Sequence, residues 1–343
     1  MTRPEVSIHL IVYNGEQYIG KCLEHVRVQT YENVIFRVFN NASVDATIEI
    51  ARNMWPAVEV VNFPQNYFTG GGFNRSLSYS ESPYVVQLSV DVMLAPDFIE
   101  RAVAALEAHP EAAVLQPKVL RYELATDTKT KVIDTAGMDI FKSRRVINRG
   151  HGEEDIGQYD RAEEIFCYEG AVPVFCRAAL EEARMEKRVR DRKFPYEYLD
   201  EDFVWYADEV DLGWRLRLLG WSMWYAPAAV AWHDRQTTHA LSAGRRGFIE
   251  QRKTVPAFKR MLDLRNQRLT FIKNDFFVNI LLCLPWIIMR EAQLLAYVIL
   301  WERSSLRGYV GIVHMVPLMM RKRRRIMKQC RVSARDMRQW FRS

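Results

Sequence analysis

The sequence predicts an α/β fold with a mostly parallel central sheet flanked by helices, followed by a C-terminal helical region. Three observations predict it. Five β-branched or apolar runs of strand length fall within the first 120 residues. Helical stretches separate them with short punctuation, the rhythm of strand–helix–strand units. Polar residues follow each of the first four runs, and ligands of such sheets bind beyond the carboxyl ends of the strands.

The first run, "VSIHLIVY" (6–13), ends on Asn14 and Gly15, and a helix begins near Glu16. The second, "VIFRVFN" (34–40), leads into "NNASVDAT" and a helix near Ser43. The third, "VEVVNF" (58–63), leads into "PQNYFTGGGFN", with three glycines just before a helix near Gly72. The fourth, "YVVQLSV" (84–90), closes on Asp91, and a helix near Asp97 precedes the fifth, "AAVLQP" (112–117). Residues 120–165 mix glycine and charge irregularly, as a long functional loop or hairpin does. "FCYEGAVPVFCRAALEEA" (166–183) resumes as strand then helix. "WYADEVDLGWRLRLLGW" (205–221) reads as another helix, and the strand "SMWYAPAAVAW" follows it.

That last helix carries its polarity in an odd place. At 100° per residue from Asp208, Leu212, Leu216 and Leu219 fall at about +40°, +80° and +20°, one apolar stripe. Asp208 lies inside that stripe and Glu209 at its far edge, near about +100°. Carboxylates on a core-facing side are costly unless paired or used. Asp211 and Arg215 stand i, i+4 in the favourable order and read as a helix salt bridge. Asp208 and Glu209 lie in the first turn, where acids favour the helix dipole. A partly desolvated carboxylate at a crevice-facing helix start also has the raised pKa that general-base work needs.

Composition bounds the remaining readings. With 343 residues, 49% apolar and nine Trp, the chain builds a real core and is not disordered. Five Cys form no CxxC pair, which argues for a reducing compartment and against a zinc site. "MTRPEVSIHLIVYN" reads as a first strand, so no secretion signal is expected. Residues 321–343 carry ten Lys/Arg against the single acid Asp336, so the other 320 residues sum to −3 of the net +6. A basic tail of this kind is expected to meet an anionic surface. No recognition fold accompanies it, which argues against nucleic acid.

The character changes from residue 276 in "FFVNILLCLPWIIMREAQLLAYVILW", then "GYVGIVHMVPLMM", then "RKRRR". No window of about 20 residues is cleanly apolar, because Asn279, Pro285, Arg290, Glu291 and Gln293 interrupt. Such segments, with Trp286 and Trp301 and one-signed charge behind them, suit helices lying in a membrane interface. A helical subdomain packed on the core is the alternative. The expected domains are 1–245 and a membrane-associating region, 246–343.

Asp91 at a strand end is a candidate ligand for a divalent cation beside a diphosphate. Taken alone it equally suits a turn. His233, in "PAAVAWHDR", ends a strand where a neutral ring nitrogen can ligate a metal, although a hydrogen-bonded surface His has the same sequence. The glycines of "YFTGGGFNRSL" let a backbone approach an anion at a helix N-terminus, or simply make a turn. No GxGxxG and no GxxxxGK[ST] is present, which demotes dinucleotide and P-loop readings.

Together, "IVYNGEQYIGKCLEHVRVQTY", "NNASVDAT", "NYFTGGGFNRSL", "LSVDVML", "CYEGAVPVFCRAALEE", "FVWYADEVDLGWRLRLLGW" and "PAAVAWHD" resemble, in order and spacing, the inverting family 2 nucleotide-sugar glycosyltransferases of GT-A fold. The likeness covers roughly residues 5–235. "RGHGEEDIGQYD" and "RNQRLTFIKND" add a likeness to bacterial rhamnosyltransferase-like enzymes of cell-surface polysaccharide assembly. The resemblance implies roles for individual residues. Asn40 and Asp45 would contact the base and ribose, with Val12–Asn14 lining the same pocket. Asn66, Gly71, Gly72 and Asn74 would sit near the diphosphate. Asp91 matches the last acid of the metal-binding DxD element, whose first acid is Ser89 here, and His233 matches the second metal ligand. Glu209 would be the general base with Asp208 its partner, and Gly170 and Ala171 would border the acceptor.

The implied cofactor is Mg2+ or Mn2+. The implied partners are a nucleotide-sugar donor, dTDP-rhamnose first, and a lipid-linked saccharide acceptor. An anionic membrane surface at the cytoplasmic side of the plasma membrane is the expected location, and an oligomer is left open. UDP-hexose, UDP-N-acetylhexosamine and UDP-galactofuranose stay open as donors. Ser89 and Asn40 also keep open a non-catalytic nucleotide-sugar-binding subunit.

Overall fold

The computed structural model describes residues 3–187, 191–235 and 252–343. Its N-terminal part runs β1 (Val6–Val12), α1 (Ile19–Arg27), β2 (Val34–Asn40), α2 (Thr47–Met54), β3 (Glu59–Asn62), α3 (Phe68–Ser76), β4 (Tyr84–Ser89), β5 (Val92–Leu94) and α4 (Phe98–Ala108). The hairpin β6 (Ala112–Glu123) and β7 (Thr128–Thr135) follows, then β8 (Met138–Phe141), β9 (Val146–Asn148) and β10 (Glu163–Glu164). β11 (Val174–Cys176), α5 (Arg177–Ala183), β12 (Met185–Glu186), β13 (Tyr196–Glu197), α6 (Asp208–Leu218) and β14 (Ser222–His233) complete this half. The C-terminal part holds α7 (Ala257–Asn274), α8 (Phe277–Leu282), α9 (Leu284–Trp301), α10 (Leu306–Gln329), α11 (Ala334–Arg338) and β15 (Phe341–Arg342).

The central sheet has the order β10-β14-β6-β11-β4-β1-β2-β3. Neighbouring residues along a strand feed opposite cores. Val85 and Val114 enter one cluster, and Val86 and Leu115 the other, as the period of two dictates. α1 shows the matching helical period, burying Ile19, Cys22, Leu23 and Val26.

The sheet is mixed, and this qualifies the mostly parallel expectation. β1 pairs with β2 and β4 in parallel, and β14 with β6 in parallel. β11, however, lies antiparallel to both β4 and β6. Parallel pairing needs a crossover, usually helical. Between β6 and β11 the chain instead doubles back through the β6–β7 hairpin, and strand composition carries no direction. The expected hairpin character of 120–165 is present. β8 and β9 add a small sheet whose third strand is β15, so the chain's last residues pair with its middle.

The three glycines do not precede their helix; α3 starts at Phe68 and buries Gly70, Gly71 and Gly72. A Cβ on Gly72 would stand 2.7 Å from Ile11 Cγ2, and one on Gly70 would stand 2.9 Å from Asp208 Oδ2. The run is therefore a packing device that brings α3 against β1 and against the acidic pair.

α6 has no solvated face, for Val210 through Leu218 are all buried. Its polar groups find partners inside. Arg215 Nε donates to Asp211 Oδ2 at 3.1 Å, and the rest of its guanidinium serves the carbonyls of Ala183 and Tyr198. The expected salt bridge exists but belongs to a larger network. Lys273 Nζ, from α7, donates to Asp211 Oδ2 (2.7 Å) and Asp200 Oδ2 (2.6 Å), and Asn274 Nδ2 to Asp211 Oδ1 (2.7 Å). Lys322 Nζ, from α10, donates to Glu197 Oε1 (2.7 Å) and Asp200 Oδ1 (2.5 Å).

The basic C-terminal stretch is thus partly internal. Lys322 and Arg323 are buried, Arg342 pairs with Asp139, and Arg331 with Glu182. Arg321, Arg324 and Lys328 are exposed. α9 has the length and composition to cross a membrane, with mean hydropathy 1.2 and only 11% of it buried. Its interrupting charges turn inward: Arg290 donates to Gln267 of α7, and Glu291 accepts from Arg268. Trp286, Ile288, Leu295, Ile299, Leu300 and Trp301 remain exposed.

Lys273→Met leaves Asp200 and Asp211 facing each other without their shared cation. Breaking one partner of such a buried group costs about 3–5 kcal/mol. Urea unfolding of the variant is expected to show a loss of this size, and a loss under about 1 kcal/mol is the contrary result.

Candidate active site

A cavity of about 930 Å3 opens over the carboxyl ends of β1 and β4, between α6 and α7. Volumes of this size suit a ligand larger than a single sugar. Of the residues expected at a site, it gathers Val12, Asn66, Ser89, Asp91, Gly170, Ala171, Asp208, Glu209 and His233 on its wall.

Asp91 and His233 form the first cluster. Antiparallel pairing of β5 and β14 sets His233 opposite Val92. His233 Nε2 lies 3.3 Å from Asp91 Oδ2, and its Nδ1 lies 2.9 Å from Asp134 Oδ2. Arg235 donates to both oxygens of Asp134 (2.7 and 2.9 Å) and to Glu169 Oε1 (2.7 Å). Burial works to depress the imidazole, but the Asp91 and Asp134 carboxylates overcome it and push His233 up to about 10. Burial likewise works to raise Asp91, and the facing imidazole pulls it below the usual carboxylate range. Three carboxylates against two cations leave this wall negative, which suits a further cation.

The second cluster is Asp208 and Glu209, whose carboxyl groups hydrogen-bond one another. Burial first, then the neighbouring Asp208 carboxylate, pushes Glu209 well above its ordinary value. Burial also raises Asp208. Two carboxyl groups this close share one proton rather than ionising together.

Several expected residues do not line the cavity. Asn40 commits its amide to Ser43 N (2.8 Å) and Asn62 Oδ1 (2.9 Å). Asn14 Oδ1 accepts from Val44 N (2.9 Å), and Asp45 accepts from the backbone of Glu16 (3.2 Å) and Thr47 (3.1 Å). These three residues knit the loops after β1 and β2 together; Tyr13, within the expected Val12–Asn14 lining, and Asn41 face the cavity. Gly71 and Gly72 are packed inside α3 rather than on the wall. Asn74 is a further correction, because its amide pairs with the backbone of Tyr198 and Leu199. It ties α3 to the segment that precedes α6, and its polar atoms are used there.

Sequence reasoning missed Asn41, Asp134, Glu169, Arg235 and the α7 side chains Lys259, Asp263 and Gln267, all of which line the cavity or hold a residue that does. Asn41 holds the turn before α3 through Asn66 Oδ1 (3.0 Å) and Tyr67 N (2.9 Å). For the rest, "CYEG" held Glu169, "WHDR" held Arg235 and "RNQRLTFIKND" held Gln267.

A half-parallel sheet with ligand-facing loops at one end, an Asp–His pair and an acidic pair on one cavity define a GT-A fold. The chain belongs to glycosyl transferase family 2, whose model matches residues 7–182. The putative glycosyltransferase EpsH of Bacillus subtilis (strain 168) is 31% identical over 104 residues, 29% of this chain and 30% of the relative. The chondroitin synthase of Pasteurella multocida (strain Pm70) is 29% identical over 100 residues, 28% of this chain and 10% of that protein. The matched stretches span less than a third of these curated relatives. Among solved structures, GalNAc-T7 with UDP, GalNAc and Mn2+ is alike in fold, with TM-score 0.56 at 9% identity over 79% of this chain and 48% of that one.

A carboxyl group raised above its ordinary value of 4.5 favours the folded state while protonated, and that contribution is lost as pH rises through the folded pKa. Glu209→Gln mimics the protonated form at every pH. The variant is expected to melt higher than the wild type at about pH 8. Its gain should be roughly 1.4 kcal/mol for every tenfold by which the folded state holds the Glu209 proton more tightly than the unfolded chain does. The difference should close below about pH 4. Equal melting at both pH values contradicts the raised pKa.

Proposed function

We propose that the protein is an inverting glycosyltransferase that moves a sugar from a nucleoside diphosphate donor to a hydroxyl of a lipid-linked saccharide. The observation that carries this reading is one cavity holding a proton-sharing Asp208–Glu209 pair and the negative Asp91–His233 wall. Glu209 accepts the proton of the acceptor hydroxyl, whose oxygen attacks the anomeric carbon from the face opposite the diphosphate, inverting it. Burial and the Asp208 carboxylate raise the proton affinity of Glu209, which acts as the base in its ionised form. Donor choice rests on the sequence likeness in "RGHGEEDIGQYD", which favours dTDP-rhamnose over UDP-linked sugars.

The residues present fit a divalent cation. One or two protein ligands plus substrate phosphates is usual for Mg2+ or Mn2+, and an imidazole ligand favours Mn2+. Asp134 holds His233 by Nδ1, and Nε2, 3.3 Å from Asp91 Oδ2, would exchange its proton for the ion. Asp91 and His233 would hold the ion, and when bound it supplies positive charge against the departing diphosphate.

Support for a membrane surface, which the reading places at the cytoplasmic side, comes from the outer face of α8 and α9. Phe277, Leu281, Leu282, Trp286, Ile288 and Leu300 are exposed there while the helices' charges turn inward. An apolar face of this kind suits the lipid interface. Arg321, Arg324 and Lys328 are the exposed cations of α10 that anionic lipid would meet.

Two measurements test the proposal. A screen of nucleotide sugars with Mn2+, read by thermal shift and by release of nucleoside diphosphate, should find a donor. Glu209→Gln should then bind it with transfer slowed by about 10²–10⁴-fold, and unchanged turnover would remove Glu209 as the base. Replacing Leu281, Ile288 and Leu300 together by Gln should abolish sedimentation with anionic vesicles without lowering Tm. Undiminished sedimentation refutes the membrane face.

A further inference from the structure

The exposed aromatic residues of this protein are not all on the α8–α9 face. Phe68 and Trp205 stand on the cavity wall, 38% and 37% exposed, with ring centroids 6.3 Å apart. Tyr206 stacks beside Trp205 at 6.0 Å. Trp205 is four residues from Glu209 in sequence and lines the same cavity.

The backbone that presents these rings is strained. Phe68, Val204, Tyr206 and Ala207 have φ of 58°, 68°, 69° and 62°. Non-glycine residues in this region cost of order 1–3 kcal/mol each and persist only where surrounding structure over-determines them. For β-branched Val204 the conformation is a genuine outlier. The constraint here is one buried amide on α7. Asn266 Nδ2, with two N–H groups, lies within hydrogen-bond distance of the carbonyls of Phe203 (2.8 Å), Trp205 (2.6 Å) and Tyr206 (3.0 Å), so one of these bonds is shared. Arg265 adds the carbonyls of Asp202 (3.0 Å) and Phe203 (3.2 Å). The turn is held with the indole on the cavity wall, 37% exposed.

α7 supplies polar groups beside the rings. Lys259, Asp263 and Gln267 recur at i, i+4 and i+8, one helical face, and all three line the cavity. Lys259 Nζ lies 3.7 Å over the Trp205 ring, and Gln267 donates to Asp263 at 2.6 Å. With Lys259 over one face of the indole, the opposite face is the one a pyranose would stack on, its apolar C–H face against the ring and its hydroxyl rim toward polar side chains. The donor's diphosphate is already provided for at Asp91 and His233, a different part of the wall.

Resting on the transferase reading, we infer that Trp205, with Phe68, is the stacking platform for the acceptor's terminal pyranose. Lys259 meets its hydroxyls, Asp263 and Gln267 brace that face of α7 through each other, Arg252 and Arg290, and Asn266 is the positioning residue that holds the platform beside Glu209. The acceptor site is then built as much by α7 as by the sheet's loops.

The test uses the full chain, its nucleotide-sugar donor, and octyl glycosides of glucose, galactose, mannose and N-acetylglucosamine as acceptor probes. Donor hydrolysis without glycoside reports the donor half of the site alone. Trp205→Ala is expected to raise KM for the octyl glycoside roughly tenfold or more. Its donor hydrolysis should stay within about twofold, and Trp205→Phe should recover most of the loss. An unchanged glycoside KM in Trp205→Ala overturns the platform, as does an equal loss of donor hydrolysis, which marks a structural role. A wild-type protein that hydrolyses its donor but transfers to no octyl pyranoside also overturns it, while leaving the transferase reading intact. Failure of the wild type to hydrolyse any nucleotide sugar overturns that reading, and the platform with it.

Discussion

The architecture depends on a buried ionic clamp. Lys273 and Lys322, from two C-terminal helices, meet Asp200, Asp211 and Glu197 from the segment around α6, with no solvent at Lys273, Asp200 or Asp211. Taking such charges out of water costs several kcal/mol per ion, so the group is stable only when complete. Its electrostatics show the tension. Burial and the nearby Asp200 carboxylate push Glu197 up to about 6, while Asp200, buried as well, is held low by Lys273 and Lys322. A well-packed apolar core would serve stability equally. What the ions add is register, because Lys273 reaches two carboxylates and Lys322 three at once, which constrains the placement of α7 and α10. α7 is therefore a wall of the cavity, and Lys273, two helical turns beyond Asn266, helps fix the helix from which Asn266 acts on the turn before α6.

The sheet was legible because its strands announce themselves locally. β2 runs over the residues that its β-branched pattern marks, and β1 and β4 end within a residue of theirs. Directions and partners were not legible. β11 is three residues long, and its antiparallel setting follows from the hairpin excursion before it rather than from "VFC" itself. The glycine run shows the same divide. Its need for small residues is written in "GGG", but whether a phosphate or another side chain comes close depends on Ile11 and Asp208, far away in sequence.

The candidate site divides along the same line. Residues that face the cavity because they end a strand or begin a helix, such as Asp91, His233 and Glu209, were readable from position and type. Asn40, Asp45 and Asn74 have the same polar character but are consumed by loop-to-loop hydrogen bonds. Sequence cannot separate a polar group kept for a ligand from one already bonded to the backbone. Asp134 is the reverse case, a carboxylate inside a strand with no sequence signal that nonetheless sets the ring of His233.

The placing of charge explains why Asp208 and Glu209 tolerate the core side of a buried helix. The Asp91–His233–Asp134–Arg235–Glu169 chain alternates in sign, so each carboxylate has a cation beside it, and Asp91 and Asp134 are held below the usual carboxylate range. Among the described residues, Asp208 and Glu209 have no cation as a partner, since Arg215 and Lys273 are committed to Asp211 one turn further on. The helix thus segregates its acids. Asp211 takes the cations and fastens the helix, and the two acids before it are left to share a proton. A carboxyl pair starved of positive charge is poorly stabilised as an anion and correspondingly eager for a proton. The buried clamp produces that condition as well as the fold, because the same lysine that seats α6 is withheld from its first turn.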